Sequence, residues 1–219
     1  MITNYIIETI KKIKKNKPLI IAFDGVDTSG KTTLANLVFE TMLKKKVFSP
    51  LRVQIDKFHN PKNIRIRKGE LSPEGFFYDS FDYDTILKNV INPIKKGLDN
   101  IITESYDYRV EDAIKKNKIT ITNDTVILFD GIFMNRDELF DSWDLSIFLD
   151  VTFDTVLKRA LERDIEFLGS KDIVEKKYLN RYIPGEKIYL SKCKPMERAN
   201  IVIDNNDYLN PRLVKKFDN

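Results

Sequence analysis

Short runs of apolar residues alternate along the chain with longer segments in which apolar positions recur at helical spacing. The runs at 18–24 (PLIIAFD), 125–131 (TVILFDG) and 145–151 (LSIFLDV) are continuously apolar, which is typical of strands buried on both faces. Two further strands are predicted at 51–56 and 199–204. Strands that alternate with helices indicate an α/β fold, in which a mostly parallel sheet is covered by helices on both sides.

The segments between these strands have the periodicity of amphipathic helices. Helices are predicted at 2–13, 32–46, 82–96 and 152–164. Thr152 is the expected N-cap of the last helix, because a threonine hydroxyl accepts a bond from the first free N–H groups. The segments 101–108 and 118–124 alternate like a hairpin or an edge pair of strands. The polar stretch after residue 56 is too long for a simple turn, so it is interpreted as a functional loop.

The length and composition fit one globular domain. A chain of 219 residues can bury one substantial core, and the sequence contains no internal repeat or linker, so residues 1–219 are predicted to form a single domain. Cys193 has no second cysteine with which to form a disulfide, which favours the reducing cytoplasm. The first residues carry their lysines late, the reverse of a signal peptide, and no apolar run approaches membrane-spanning length.

The net charge of +4 is mild. The lysine cluster at 11–17 is interpreted as the solvent-exposed face of the first helix rather than as a contact for nucleic acid. We therefore expect no membrane partner and no specific nucleic-acid partner, while a homo-oligomer stays open.

The segment 25–32, GVDTSGKT, fits the phosphate-loop pattern G-x-x-x-x-G-K-[ST], and it lies between a predicted buried strand and a predicted helix. Successive backbone N–H groups in such a loop, together with the helix N-terminus, bind phosphate. Lys31 is expected to reach the terminal phosphates and Thr32 to hold Mg²⁺. The expected ATP-binding residues are Gly25, Val26, Asp27, Thr28, Ser29, Gly30, Lys31, Thr32 and Thr33.

A phosphate loop indicates nucleotide binding but not the reaction. No N-K-x-D guanine motif follows the predicted fourth strand, so a small-molecule kinase is the best class. A kinase acting on a hydroxyl needs a proton acceptor and magnesium ligands, and such groups collect at the carboxyl ends of strands. Asp56 and Asp130 follow two such strands, whereas Asp24 and Asp150 are weaker candidates.

An ordered set of motifs resembles the uridine kinase branch of the uridine kinase and phosphoribulokinase family. The motifs are the phosphate loop, IDKFH (55–59), SPEGFFYDSFDYD (72–84), YDY (106–108), LFDGIF (128–133), RALERD (159–164) and ERANIVIDNND (197–207). The resemblance implies a three-layer P-loop NTPase kinase fold with a mobile lid.

The resemblance also implies which residues contact the acceptor. Asp56 matches the catalytic base of uridine kinases, with His59 as a further substrate contact. Asp82 matches an acid that binds the ribose hydroxyls, with Tyr83 nearby, although the same aspartate could instead cap the following helix. Tyr106 matches an aromatic residue that packs beside the nucleoside.

The implied metal ligands are Thr32, Asp56 and Asp130. Asp130 stands where better-known uridine kinases have a glutamate, and its shorter side chain favours a water bridge to Mg²⁺ over direct ligation. Lys31 is expected to act with Asp56 in catalysis.

The segment 164–190 is expected to form the lid that closes over the phosphates and excludes water. Arg163 matches a family arginine near the lid and is expected to stabilise the transferring phosphoryl group. Arg181 lies within the lid segment and is expected to serve the same site. Arg159 and Arg163 share a helical face, so pairing with Glu162 and Glu166 at the surface is the alternative for both.

The expected function is ATP- and Mg²⁺-dependent transfer of the γ-phosphoryl group to a small-molecule hydroxyl, foremost the 5′-hydroxyl of uridine or cytidine in cytoplasmic pyrimidine salvage. The departures from the human-type substrate segment leave the acceptor open. A kinase of another small alcohol, a nucleoside monophosphate kinase, and a regulator that binds ATP without catalysis are the alternatives.

Overall fold

The fold is known from a computed structural model that describes residues 2–115 and 117–218. In the first half of the chain the elements are α1 (Ile2–Ile13), β1 (Leu19–Gly25), α2 (Lys31–Lys45), β2 (Ser49–Gln54), α3 (Lys62–Arg65), α4 (Pro73–Asp79), α5 (Tyr83–Ile86), α6 (Asn92–Lys95), β3 (Asn100–Ile102), β4 (Tyr106–Asp107), β5 (Asp112–Ala113) and β6 (Lys118–Thr120). In the second half they are β7 (Thr125–Asp130), β8 (Leu145–Asp150), α7 (Phe153–Arg163), α8 (Ile165–Leu168), α9 (Lys171–Lys177), α10 (Ile183–Cys193), α11 (Pro195–Arg198), β9 (Ile201–Asp204) and β10 (Arg212–Lys215).

Two π-helical segments and one short 3₁₀ turn matter for the site. The π-helical segment Leu87–Ile91 joins α5 to α6, so the chain is helical throughout the region where the sequence predicts a single helix. The π-helical segment Tyr178–Tyr182 joins α9 to α10 in the same way. The 3₁₀ turn Ile55–Phe58 follows β2 and carries Asp56, so the strand predicted to run to residue 56 ends two residues earlier.

The central sheet has six strands in the order β10-β9-β8-β1-β7-β2. All neighbours are parallel except the edge strand β10, which runs antiparallel to β9. Phe23 of β1 and Gln54 of β2 both stand in register with Asp130 of β7. The carboxyl ends of these three neighbouring strands therefore meet at one edge, which confirms the predicted parallel sheet and sets the place of the site.

Alternate residues of each strand pack against opposite helical layers. Ile21 and Phe23 of β1 face the layer formed by α1 and α2, where Ile6 and Val38 are fully buried. Ala22, on the other side of the same strand, faces the layer that contains α4, the helical region after Tyr83, and α10. This three-layer arrangement explains why the strand sequences are continuously apolar.

The predicted lid is a helical segment whose second part belongs to the packed body. Val174 of α9 and Tyr178 are buried against Val156 and Ala160 of α7. From residue 183 onward α10 packs on α4, and its inward-facing side chains are buried. The lid boundary at residue 190 therefore extends too far, because 183–190 is part of a core helix. Closure by the remainder stays a prediction.

The small sheets differ from the pairing that the sequence indicates. Residues 100–102 pair antiparallel with 118–120, in agreement with the predicted edge pair. Residues 106–107 pair instead with 112–113, which makes a separate hairpin. The edge strand β10 adds to the strands that the sequence predicts, and it is short and lies at the exposed edge of the sheet. Among the described residues, no helix combines the length and the apolarity needed to cross a membrane.

Candidate active site

The phosphate loop joins β1 to α2 through a tight backbone. Gly25 and Gly30 have φ values of 154° and 94°, and Thr28 has a positive φ of 54°. A Cβ atom added to Gly25 would lie 2.5 Å from Ser29 Oγ, so the loop closes only with glycine there. Gly30 caps α2 without a side-chain hydrogen bond, which leaves the first N–H groups of the helix available to an anion.

Hydrogen bonds from residues outside the phosphate loop hold it in place. The Asn205 amide donates to the carbonyl of Ser29 at 2.7 Å. The Arg159 guanidinium donates to the carbonyls of Thr28 at 3.2 Å and Asn205 at 2.7 Å. Arg159 therefore supports the loop backbone. It does not form the surface ion pair with glutamates that the sequence offers as the alternative. Helical spacing could not reveal this, since both acceptors are backbone atoms distant in sequence.

Lys31 and Thr32 occupy the positions that the loop pattern predicts. The Lys31 ammonium donates to the carbonyl of Val26 at 3.1 Å, folded over the loop that would receive phosphates. Ser29 Oγ is buried and has no hydrogen-bond partner among the described residues. An orphaned hydroxyl, a lysine and free helix N–H groups in one concave loop suit the phosphates of a nucleotide.

Thr32 and Asp130 lie in direct contact at the edge where β1 and β7 end. The Thr32 hydroxyl donates to Asp130 Oδ2 at 2.5 Å. Burial raises the pKa of Asp130, and the opposing influences come from Arg52, Thr32 and Lys31. A hydroxyl and a carboxylate are hard oxygen donors, the type that Mg²⁺ binds alongside substrate phosphates. These two side chains therefore fit a magnesium ion.

Arg52 is a site residue that the sequence analysis missed. Its guanidinium donates to Asp130 Oδ1 at 2.5 Å, and the two side chains are 16% and 3% exposed. Arg52 stands one pleat before Gln54 on β2, next to β7. An arginine in the middle of a strand carries no motif, and Asp130 lies two positions beyond Leu128, the residue of β7 that is in register with Arg52.

Asp56 faces a cleft of about 980 Å³ that also contains Asp27, Lys31, Thr32 and Asp130 in its lining. It is exposed, at the start of the 3₁₀ turn that follows β2. Two strand ends and the phosphate loop thus bring together the predicted base, the predicted magnesium ligands and the phosphate-binding lysine.

His59 forms an aromatic wall of this cleft together with Phe81 and Tyr108. The His59 ring centroid lies 4.5 Å from that of Phe81 and 4.4 Å from that of Tyr108. Its Nδ1 atom lies 2.9 Å from the carbonyl oxygen of Asp56. Burial lowers the pKa of His59, although the nearby Asp56 opposes the shift. The lowered pKa favours the neutral form of the ring, which lies beside the predicted base.

The structure corrects the placement of the predicted nucleoside contact Tyr106. Tyr108, two residues later at the tip of the β4–β5 hairpin, lines the cleft together with Arg109 and Glu111. Tyr106 is outside that lining, and its hydroxyl donates to Glu111 Oε2 at 3.1 Å. Tyr106 belongs to strand β4, whereas Tyr108 lies in the turn that follows, and the path of this turn brings Tyr108 to the cleft.

Asp82 and Tyr83 also lie outside the lining of the cleft. Asp82 caps α5, since its carboxylate accepts the Thr85 N–H at 2.9 Å and the Thr85 hydroxyl at 2.6 Å. Tyr83 is 8% exposed and packs under the Arg136 guanidinium, 4.6 Å from its ring centroid. The helix-cap alternative therefore describes Asp82, and Tyr83 is a core residue.

The two predicted lid arginines have different partners. Arg163 lines the cleft and donates to Asp164 Oδ1 at 2.6 Å and to the Tyr178 hydroxyl at 3.3 Å. Arg181 is 7% exposed and donates to backbone carbonyls of the stretch 65–72, the shortest bond being 2.9 Å to Glu70. Both arginines are in the lining of the cleft, and Arg181 also ties the predicted lid segment to the stretch 65–72. The phosphoryl contact of Arg163 stays a prediction.

Comparison with known proteins agrees with this geometry. Residues 20–207 match the sequence model of the phosphoribulokinase / uridine kinase family. The chain belongs to this family. It is therefore a phosphotransferase with an alcohol acceptor.

Individual members of the family differ in their acceptors. The chain is 30% identical over 159 residues to a uridine kinase of Ligilactobacillus salivarius, and the aligned stretch covers 71% of each protein. It is 26% identical over 212 residues to a pantothenate kinase of Limosilactobacillus fermentum, which covers 92% of this chain and 68% of that kinase. The solved structure of a possible uridine kinase from Bacillus stearothermophilus shares the fold, with a TM-score of 0.72, 23% identity, and coverage of 91% of this chain and 96% of the other.

Proposed function

We propose that the protein is an ATP-dependent kinase of a pyrimidine nucleoside and that it phosphorylates the 5′-hydroxyl of uridine or cytidine. The observation that carries the proposal is the aromatic wall of His59, Phe81 and Tyr108 beside Asp56. Planar rings bind favourably against aromatic faces, so such a wall suits a nucleobase. A base bound there would leave its sugar hydroxyl near the carboxylate.

In the proposed mechanism, Asp56 accepts the proton of the acceptor hydroxyl as that hydroxyl attacks the terminal phosphoryl group. Lys31 and Arg163 stabilise the charge on the transferring group from two sides, because both line the cleft and both are cationic. Thr32 and Asp130 would hold Mg²⁺, and Asp56 would contribute from the same edge. When bound, the ion neutralises charge on the phosphates.

The cellular setting forms part of the proposal. A single cysteine with no disulfide partner favours a reducing compartment, so we assign the enzyme to pyrimidine salvage in the cytoplasm. Its partner is a small-molecule acceptor. Self-association is left to a direct measurement of mass in solution.

A second candidate acceptor is an anionic alcohol such as pantothenate. The similarity to a pantothenate kinase over 92% of the chain supports it, as does the presence of Lys62 and Arg109 in the cleft lining. Against it, the Arg65 guanidinium in the same lining is already paired with Glu111, and Arg181 is engaged by backbone carbonyls. The first contact neutralises the charge of Arg65, and the second occupies N–H groups with which Arg181 would bind a substrate carboxylate.

The test is a panel of acceptors assayed for ATP-dependent phosphorylation with Mg²⁺. Uridine, cytidine, pantothenate and UMP represent the competing classes. We expect kcat/KM for uridine or cytidine to exceed that for pantothenate and UMP at least tenfold. A preference for pantothenate would select the second candidate, and a preference for UMP would select a nucleoside monophosphate kinase. ATP binding without phosphorylation of any of the four acceptors would favour the remaining alternative, a regulator that binds ATP without catalysis.

A further inference from the structure

Glu186 is a buried acid that contacts the backbone of the phosphate loop. It lies on α10 and is 0% exposed. Its Oε1 atom accepts the backbone N–H of Asp27 at 2.5 Å. Its Oε2 atom is buried without a hydrogen-bond partner in the described part of the chain. The contact fixes the backbone of the third residue of the loop.

The surroundings of Glu186 favour its neutral form. A carboxylate without a cation in direct contact is costly to bury, and a single N–H bond does not offset that cost. Burial raises the pKa of Glu186 well above its ordinary value, and the Asp27 carboxyl acts in the same direction. Lys31 and Arg163 oppose the shift from farther away. A neutral acid can accept the Asp27 N–H as an amide would.

Neighbouring residues make α10 a firm base for this contact. At Gly185 the helix touches α4, since an added Cβ would lie 2.8 Å from Phe76 Cδ1 and 2.9 Å from the Pro73 carbonyl oxygen. One turn later, the Tyr189 hydroxyl donates to Asp24 Oδ2 at the end of β1. The helix therefore contacts the Asp24 side chain before Gly25 and the Asp27 backbone after it. It also packs against a wall of the acceptor cleft, because Phe76 is in the lining of that cleft.

We propose that Glu186 is a positioning residue for nucleotide binding, which sets the phosphate loop through its hydrogen bond to Asp27. It contacts no phosphate itself. The inference rests on the proposed function only in that the loop binds a nucleotide, and it is independent of which alcohol is phosphorylated.

Two substitutions separate the hydrogen bond from the volume of the side chain. Glu186→Gln keeps the acceptor oxygen and the neutral state, whereas Glu186→Met keeps an unbranched side chain of similar length without an acceptor. Cys193→Ala is the control, because it removes a buried side chain of the same helix at a distance from the loop. The measurement is the dissociation constant of MgADP for each full-length protein, by calorimetry, with thermal unfolding recorded in parallel.

We expect Glu186→Gln to bind MgADP within about threefold of wild type and Glu186→Met to bind at least tenfold more weakly. A tenfold loss corresponds to about 1.4 kcal/mol. Cys193→Ala should unfold at a lower temperature with unchanged MgADP affinity. A purely structural role would lower the melting temperature of Glu186→Met and leave its affinity intact, which would overturn the proposal. Equal losses in both Glu186 variants would overturn it too, since charge rather than the hydrogen bond would then matter.

Two further outcomes keep the inference separate from the proposed function. If wild type failed to bind MgADP, nucleotide binding itself would be refuted. If Glu186→Met did not fold, Glu186→Leu would replace it. MgADP affinity near wild type in Glu186→Gln, together with a tenfold loss of affinity in Glu186→Leu, would support the proposal. A loss of affinity of tenfold or more in Glu186→Gln would count against it.

Discussion

The Asp130 carboxylate is shared between two donors, with the Thr32 hydroxyl on Oδ2 and the Arg52 guanidinium on Oδ1, each at 2.5 Å. The aspartate side chain is short, and the arginine holds it in one orientation toward the threonine. Both carboxylate oxygens thus accept a hydrogen bond from the protein, and Asp130 would hold Mg²⁺ together with Thr32.

Replacing Arg52 by methionine should destabilise the fold. Breaking a buried ion pair costs roughly 3–5 kcal/mol, and the 16% exposure of Arg52 places the expectation near the lower end. The check is urea unfolding at pH 7. The matched control is Arg212→Met, which breaks the exposed pair with Asp204 and should cost less than about 1 kcal/mol. Equal costs for the two variants would show that the Arg52 pair contributes no more than a surface contact.

Lys31→Ala and Thr32→Ala should each abolish turnover while the fold persists. Lys31 donates to a carbonyl of its own loop, and Thr32 is exposed with its hydroxyl on Asp130, so neither variant removes a contact of the apolar core. Turnover is lost because Lys31→Ala removes the cation that binds phosphate and Thr32→Ala removes a magnesium ligand. Phosphotransfer and thermal unfolding are measured together. Lys45→Ala, at the far end of α2, serves as the control and should retain activity. Wild-type turnover in a folded Lys31→Ala protein would refute the assignment of the loop.

Substitutions of Asp82 and Tyr108 should have different effects, the first on the stability of the fold and the second on acceptor binding. Asp82→Ala removes the cap of α5 and should cost about 1 kcal/mol of stability with little change in acceptor KM. Tyr108→Ala removes part of the aromatic wall and should raise the acceptor KM severalfold with little change in KM for ATP. Steady-state kinetics and urea unfolding decide. A large rise in acceptor KM for Asp82→Ala would return it to the ribose-binding role.

The parts of the site that could be predicted are those that local patterns determine. Asp56 and Asp130 follow predicted strands, and parallel strands end at one edge, so their proximity follows from the fold class. The phosphate loop is a contiguous motif. The helical layers on both sides of the sheet could be predicted in the same way, since continuously apolar strands need cover on both faces.

The missed parts depend on contacts between distant residues. Arg159 and Arg181 bond backbone carbonyls, which carry no sequence signal. Glu186 lies in a charged stretch that reads as surface, and only the packing of α10 buries it. Tyr106 lies in a two-residue strand and Tyr108 in the turn after it, and so short a strand has no hydrophobic pattern from which to predict where the turn begins.

Asp56→Asn should lower kcat by roughly 10²–10⁴, because the amide keeps the size of the side chain but cannot accept the proton. His59→Ala should stay within about tenfold of wild type, a barrier change of roughly 1.4 kcal/mol. Phosphotransfer is measured at saturating ATP, Mg²⁺ and uridine. Some loss of Mg²⁺ affinity in Asp56→Asn is expected, since the same carboxylate faces the metal edge. A collapse in His59→Ala with a normal rate in Asp56→Asn would make the histidine the base.

His59 should also make stability depend on pH near neutrality. Its pKa is lowered by burial in the folded protein, so between that value and the ordinary 6.5 the unfolded chain binds more protons than the folded one. Its contribution is therefore fully present above pH 6.5 and is lost as the pH falls toward the folded pKa. His59→Phe keeps an aromatic ring against Phe81 and Tyr108 but cannot titrate. Urea unfolding at pH 7.5 and 5.5 should show a larger loss of unfolding free energy in wild type than in His59→Phe. Since the chain has a single histidine, the carboxylates that begin to titrate at pH 5.5 are common to both proteins, and equal losses would mean that His59 is as accessible to protons as in the unfolded chain.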